Sequence, residues 1–289
     1  MWKMDQAQKL RNLVKVNKDN DNKDIKIYTI ASGKGGVGKT NVVVNTAITL
    51  QKKGKNVLII DADLGLANID VILGVSPKYT LYDVLFKDID LNDALLRGPK
   101  GIKIIPGGSG VLEMTTLSVD KQEELAKEFL KLKDIDTILI DTGAGISKNL
   151  LSFVTFSQEL IIVTTPEPTS LTDAYSVMKV ISKYNLKKDI KIIINRVPNE
   201  KMAKSTFNTL KKTAKNFLNI NLDNLGYILD DVRVMNSVMK QQPFVLGYPR
   251  CLASKCIYSI TDKLLNGKKS LKKINSIQEV YNRLIKVFG

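Results

Sequence analysis

The octapeptide Gly33-Lys34-Gly35-Gly36-Val37-Gly38-Lys39-Thr40 concentrates glycines, two lysines and a hydroxyl in the spacing G-x-x-x-x-G-K-[ST]. That spacing cradles a nucleoside polyphosphate. The glycines let the backbone of Gly33 to Gly38, Val37 included, wrap close to phosphate, so that successive N–H groups and a helix N-terminus face the anion. Lys39 is expected on the β- and γ-phosphates, and the Thr40 hydroxyl on Mg²⁺. Two acidic strand ends complete the constellation. One is Val57-Leu58-Ile59-Ile60-Asp61-Ala62-Asp63, where alternate residues place both carboxylates on one side. One of them is able to hold a water on Mg²⁺ while the other orients an attacking water. The second is Ile138-Leu139-Ile140-Asp141, followed by Thr142-Gly143-Ala144-Gly145. An apolar strand closed by Asp, then a glycine-containing loop, is the Walker B arrangement. Asp141 is expected to hold Mg²⁺ through water, and residues 142–145 to form a mobile switch that senses the γ-phosphate.

These residues need strand ends to stand on. The phosphate loop follows the apolar run 25–31 and precedes the helix-like run Val42-Val43-Val44-Asn45-Thr46-Ala47-Ile48. Further strands are expected at 56–61, 102–105, 136–141, 159–165, 190–195 and 225–229. Helices are expected at 39–53, 79–86, 119–132, 147–156, 170–184, 200–217, 230–240 and 250–265. Alternating strands and helices predict an α/β fold, a doubly wound, mostly parallel sheet flanked by helices. The strands are apolar without interruption, as befits a sheet covered on both faces. Ligands of such sheets bind at the carboxyl ends of the strands. Pro166-Glu167-Pro168-Thr169-Ser170 also follows a strand end and is expected to rim a base pocket, with Thr169 or Ser170 capping the next helix.

A chain of 289 residues is long enough for one large α/β domain. No apolar run approaches a membrane span, and the start, Met1-Trp2-Lys3-Met4, has no signal-peptide core, so a cytoplasmic protein is expected. Two cysteines, Cys251 and Cys256, and no histidine argue against a disulfide framework or a transition-metal site. The 44 Lys and Arg against 29 Asp and Glu give a net charge of +15, which suits a membrane surface, nucleic acid or an acidic protein. Eleven of the basic residues lie in 179–216 beside only Asp189 and Glu200. A solvated helix face is the plain reading there; a DNA contact or an acidic partner are the others.

Lys34, a second lysine early in the loop, marks the deviant class of phosphate loops and resembles the MinD/ParA group of ATPases. The resemblance implies a homodimer that closes with ATP, Lys34 reaching the phosphates of the other subunit, and opens on hydrolysis to ADP. It also implies that Asp63 positions the hydrolytic water while Asp61 sits in the magnesium shell with Thr40 and Asp141. Asn195 would read the adenine edge, with Arg196 beside it, after the strand Ile190-Lys191-Ile192-Ile193-Ile194. A turn-forming Asn before Pro198 is the alternative. Asn41 departs from the group, which has Thr or Ser there; it is expected to begin the helix, off the metal.

The polar stretch 18–24 and the break at 266–270 set off two ends, giving a domain at 25–265 between a segment 1–17 and a tail 266–289. In the first, Met4, Ala7, Leu10, Leu13 and Val14 share one helical face. Asp5-Gln6-Ala7-x-x-Leu10-Arg11 resembles the activator motif of the FlhG (YlxH) family of flagellar-number regulators. That implies a helix docking on the GTPase FlhF, with Gln6 and Arg11 acting there; packing on its own domain is the bland alternative. In the tail, Leu271, Ile274, Ile277, Tyr281, Leu284, Ile285 and Phe288 make one broad apolar face, with lysines crowded at 268–273. This is the pattern of a helix lying in an anionic membrane interface; closing the domain core is the other use. The family resemblance adds the flagellar switch-complex (C-ring) proteins as partners and the inner face of the cell membrane as a reversible location. Nucleic acid is not expected. The competing functions are a MinD-type division-site ATPase and a ParA-type DNA-segregation ATPase.

Overall fold

The apolar runs become strands because each residue has a core to enter on both faces. In β2 (Val57–Ala62) every residue is buried, and the alternation splits them. Val57 and Ile59 enter one core with α1 (Lys39–Lys52), while Leu58 and Ile60 enter another with α3 (Leu81–Phe86) and α5 (Lys148–Phe156). The computed structural model describes residues 25–63, 69–87, 89–107, 132 and 134–267. The segments 1–17 and 18–24, the 271–288 face and most of the expected helix 119–132 lie outside them; Leu132 itself is not helical.

Among the described residues, eight strands form one sheet in the order β3-β4-β2-β5-β1-β6-β7-β8. They are β1 (Lys26–Ser32), β2, β3 (Leu96–Arg97), β4 (Lys103–Ile105), β5 (Thr137–Ala144), β6 (Glu159–Thr164), β7 (Asp189–Val197) and β8 (Asn221–Leu229). All neighbours are parallel except β3 and β4. The chain goes out from β1 to β2, returns to β5 at the flank of β1, and then crosses to β6 on the other flank. A crevice therefore opens at the carboxyl end of β1, where an α/β sheet binds its ligand.

One face carries α1, α9 (Phe244–Gly247) and α10 (Leu252–Asn266). The other carries α5, then α6 (Pro168–Lys183) and α7 (Glu200–Leu218). Helix α1 is covered by the sheet on one side and by α9 and α10 on the other, so residues 42–50 are buried all round. Its one buried amide is bonded at both ends: Asn45 Nδ2 donates to Asn41 O at 2.8 Å, and Asn45 Oδ1 accepts from Val245 N at 3.0 Å. Side chains cap the helix starts as their types suggest, Thr80 with Asp83 in a capping box on α3, Ser147 on α5, Asn199 on α7 and Asp231 on α8 (Val232–Met239).

Candidate functional site

The phosphate loop sits in the crevice, between the end of β1 and the start of α1. Gly36 and Gly38 have φ of 77° and 88°, the left-handed region that favours glycine. Gly38 is also the N-cap of α1; no side chain caps it and no acid occupies the first turn. The first N–H groups of α1 are thus left for an anion. A Cβ added at Gly35 or Gly36 would meet nothing within 4 Å, so the loop is open on its ligand side. On the other side it is tight. A Cβ at Gly33 would lie 2.2 Å from the carbonyl carbon of Asp173 in α6.

Strand pairing assembles the acids. β2 and β5 run in register with Asp61 opposite Asp141 and Ala62 opposite Thr142. Asp141 is also opposite Ile30 of β1, three residues before the first glycine of the loop. Lys39 Nζ donates to Asp141 Oδ1 at 2.5 Å, both side chains being buried. Burial pushes the Asp141 carboxyl up, against the pull of Lys39 and the neighbouring Thr40 hydroxyl. Asp61 rises to about 7, through burial first and the Asp141 charge second, opposed by the Asp63 N–H that it accepts at 3.1 Å. Asp63 is only partly buried, and its Oδ1 lies 3.4 Å from where a Cβ on Gly143 would be, so Asp63 rests against the carboxyl end of β5.

These residues fit Mg²⁺. Asp141 Oδ2 is buried with no hydrogen-bond partner, beside a threonine hydroxyl and a helix start. No group of three or more Asp, Glu, Cys or His side chains forms a metal cage among the described residues. Mg²⁺ held by one hydroxyl, phosphate oxygens and water needs no such cage.

Several expectations are corrected. The segment 142–145, expected as a loop, continues β5 as strand to Ala144, and Gly145 N donates to Ser32 O at 2.9 Å. Neither Thr169 nor Ser170 caps α6. Glu167 is its N-cap, without a side-chain bond, and Ser170 Oγ instead accepts from Thr165 N at 3.1 Å. Asn41 does not begin α1, which starts at Lys39; it lies in the first turn and its carbonyl accepts from Asn45. Asn195 lies at the crevice, but its Nδ2 donates to Val37 O at 2.7 Å and fills the space a Cβ on Gly38 would need. It therefore joins β7 to the phosphate loop, keeping one amide hydrogen for another acceptor. Arg196 has φ 54° and an exposed side chain, and its N–H donates to Asn195 Oδ1 at 2.9 Å.

Lys34 does not join the Lys39–Asp141 pair. Its Nζ meets Glu167 Oε2 and Thr169 Oγ1, each at 3.2 Å. The sequence placed Glu167 and Thr169 at a strand end but gave no sign that they would hold this lysine, 133 and 135 residues away. Residues 64–68, next to Asp63, lie outside the described residues.

With this geometry in hand, comparison with known proteins is direct. Residues 28–244 match the CobQ/CobB/MinD/ParA nucleotide-binding domain. The antiactivator FleN of Pseudomonas aeruginosa is 38% identical over 83% of this chain and 86% of its own length. The flagellum site-determining protein YlxH of Helicobacter pylori is 34% identical over 98% of this chain and 99% of its own. Among solved structures, the septum site-determining protein MinD of Pyrococcus horikoshii, complexed with Mg-ADP, superposes with a TM-score of 0.67 at 30% identity. That superposition covers 84% of this chain and 98% of the other.

Proposed function

The chain belongs to the MinD/ParA family of nucleotide-binding proteins and is an ATPase; from that premise we propose that it is a dimerising switch controlling flagellar number and placement. The observation that carries this reading is the similarity to two flagellar proteins over most of the chain, which for YlxH takes in both ends. The clustered Lys39, Asp61, Asp63 and Asp141 supply the chemistry.

Bound Mg²⁺ would draw charge off the β- and γ-phosphates. Thr40 would offer it a hydroxyl, and Asp61 and Asp141 would hold its waters. Lys39, parked on Asp141, moves to the phosphates. The loop N–H groups of Gly33 to Gly38 take the remaining charge. Asp63 orients a water whose oxygen attacks the γ-phosphorus while the bond to the β,γ-bridging oxygen breaks, leaving ADP and phosphate. Lys34 leaves Glu167 and Thr169 to contact the nucleotide of a second copy, and Asn195 and Arg196 line the base side. The closed dimer presents two tails, and paired weak membrane helices bind far better than one. Leu271, Ile274, Ile277, Tyr281, Leu284, Ile285 and Phe288 enter the anionic surface. Asp5, Gln6, Ala7, Leu10 and Arg11 dock on FlhF, and C-ring proteins are the other partners.

The test is FlhF GTP hydrolysis with the full chain and with Gln6→Ala and Arg11→Ala. Stimulation by the wild type that both variants weaken supports the flagellar reading. Absence of any stimulation sinks it and favours a division-site role.

A further inference from the structure

The edge of the sheet opposite the phosphate loop carries a surface that ATP hydrolysis does not use. Because β6, β7 and β8 are parallel, the helices that follow them end at the strands' amino-terminal edge. There α6 and α7 are tied together, Ser182 Oγ donating to Leu218 O at 2.8 Å. Tyr184 and Phe217 flank that tie and are 58% and 74% exposed. Both continue the inward stripes of their helices. Tyr184 comes three and seven residues after the buried Ile181 and Val177, and Phe217 stands likewise to Ala214 and Leu210. They are exposed because they overhang the end of the sheet. An unpartnered aromatic pair of this kind is informative where a scattered exposed leucine is not.

The pair is ringed by cations. Lys183, Lys188 and Lys215 are exposed and enter no ion pair among the described residues. Lys183 Nζ stands 6.0 Å from the Tyr184 ring centroid, and Lys215 Nζ donates to the neutral amide of Asn221 at 3.4 Å. Three carboxylates share the edge: Asp189 accepts from Asn221 Nδ2 at 3.1 Å, while Glu159 and Asp223 are both neutralised by Lys191, at 3.4 and 3.3 Å. Helix α10 reaches the same edge: Lys263 Nζ donates to Asn224 O near the start of β8, and the helix ends three residues later at Asn266. The chain that continues from it opens with Lys268, Lys269, Lys272 and Lys273.

We propose that this base, centred on Tyr184 and Phe217 with Lys183, Lys188 and Lys215 around them, is a lipid-docking face of the ATPase domain for anionic bilayers. Aromatic rings with an apolar body settle at the headgroup level, and each nearby lysine adds attraction to lipid phosphate. Nucleic acid shares the phosphate chemistry. Lipid is favoured because α10, from which the basic, amphipathic tail continues, ends at the same edge of the sheet. The face goes beyond the tail reading, on which this choice of lipid over nucleic acid rests. The base lies at the other end of the strands from the phosphate loop, so each subunit carries it with ATP and with ADP.

The experiment is co-sedimentation of the full chain with vesicles of phosphatidylcholine and phosphatidylglycerol, in each nucleotide, beside a duplex-DNA binding assay. The variants are Tyr184→Ser with Phe217→Ser, Lys183→Glu with Lys188→Glu, and, as a separate probe of the tail, Ile277→Glu with Leu284→Glu. Both base pairs are expected to weaken vesicle binding about tenfold or more, in ATP and also in ADP. ATPase activity and melting temperature should be unchanged, since these side chains are exposed. In a Trp2→Phe background, Phe217→Trp should shift its emission to the blue when vesicles are added. Base variants that bind vesicles like the wild type overturn the proposal whatever the tail variant does. So does a loss confined to DNA. Loss in the tail variant alone leaves the membrane helix standing and removes the base.

Discussion

Asp61 and Asp63 are two residues apart, yet their surroundings give them different work. Asp61 is 2% exposed and shares its site with Asp141, so its carboxyl is held at about 7 rather than near the ordinary 3.8. A raised carboxyl stabilises the fold fully below the ordinary value, and that contribution is lost as pH climbs through the raised one. Asp61→Asn keeps an acceptor for the Asp63 N–H and removes the titration. In nucleotide-free protein, the melting temperature of the variant relative to wild type should therefore increase from about pH 4 to about pH 7 and level off above. A series of melts against pH checks this; a variant melting temperature that falls relative to wild type with rising pH contradicts it. The same change should weaken Mg-ATP binding, since it removes a charge from the magnesium shell. Asp63 is partly exposed and touches the carboxyl end of β5, which suits a group that meets water. Asp63→Ala is expected to lower single-turnover hydrolysis by 10²-fold or more while ATP binding by calorimetry stays within a few-fold. An equal loss in both would make Asp63 a binding residue instead.

At the level of elements, α1 shows what was legible and what was not. The run of valines after Thr40 announced a helix, and the loop motif fixed its start. That it is buried all round was not legible, because the cover comes from α9 and α10, two hundred residues on. Asn45 is the polar cost of that cover, bonded to Asn41 O and Val245 N. Asn45→Ala leaves the Val245 N–H buried without a partner and should lower stability by about 1–3 kcal/mol, read from denaturant midpoints at unchanged slope. A loss below about 0.5 kcal/mol would mean water replaces the amide. The strands carrying Asp61, Asp141 and Asn195 were legible for a simple reason. Uninterrupted β-branched runs ending in a polar residue have few other uses in an α/β chain. The short pieces were not. β3 has two residues, α4 (Leu91–Ala94) and α9 four each, and α2 (Ile69–Leu73) five. Such lengths carry less than two turns of periodicity, so tertiary contacts decide them. The extension of β5 to Ala144 escaped for a related reason. Thr142-Gly143-Ala144 reads as a turn, but Thr142 Oγ1 donates to Ile30 O at 3.0 Å, and pairing with β1 resumes past a register shift, Ser32 opposite Ala144.

For the whole molecule, the contact that matters most is weak by itself. Lys34 and Glu167 are 42% and 58% exposed in their side chains, so their ion pair is worth at most about 1 kcal/mol. It is nevertheless placed to oppose dimer closure, because a lysine held on Glu167 and Thr169 in its own subunit is not on the phosphates of another. Substitutions at its two ends should therefore act in opposite directions. Lys34→Ala removes the group that crosses the interface, and the protein should remain monomeric with ATP and hydrolyse it slowly. Glu167→Gln frees Lys34 from the charge and leaves the Thr169 hydroxyl bond, so dimers should form at protein concentrations about two- to fivefold lower than wild type, the factor that such a pair commands. Both are best measured by sedimentation velocity in an Asp63→Ala background, where ATP persists. Two variants that shift the dimer in the same direction would show that the pair only supports the local fold. A normal ATP dimer from Lys34→Ala would remove the crossing lysine altogether. The opposed result would make Glu167 the residue that sets the threshold at which ATP assembles this switch.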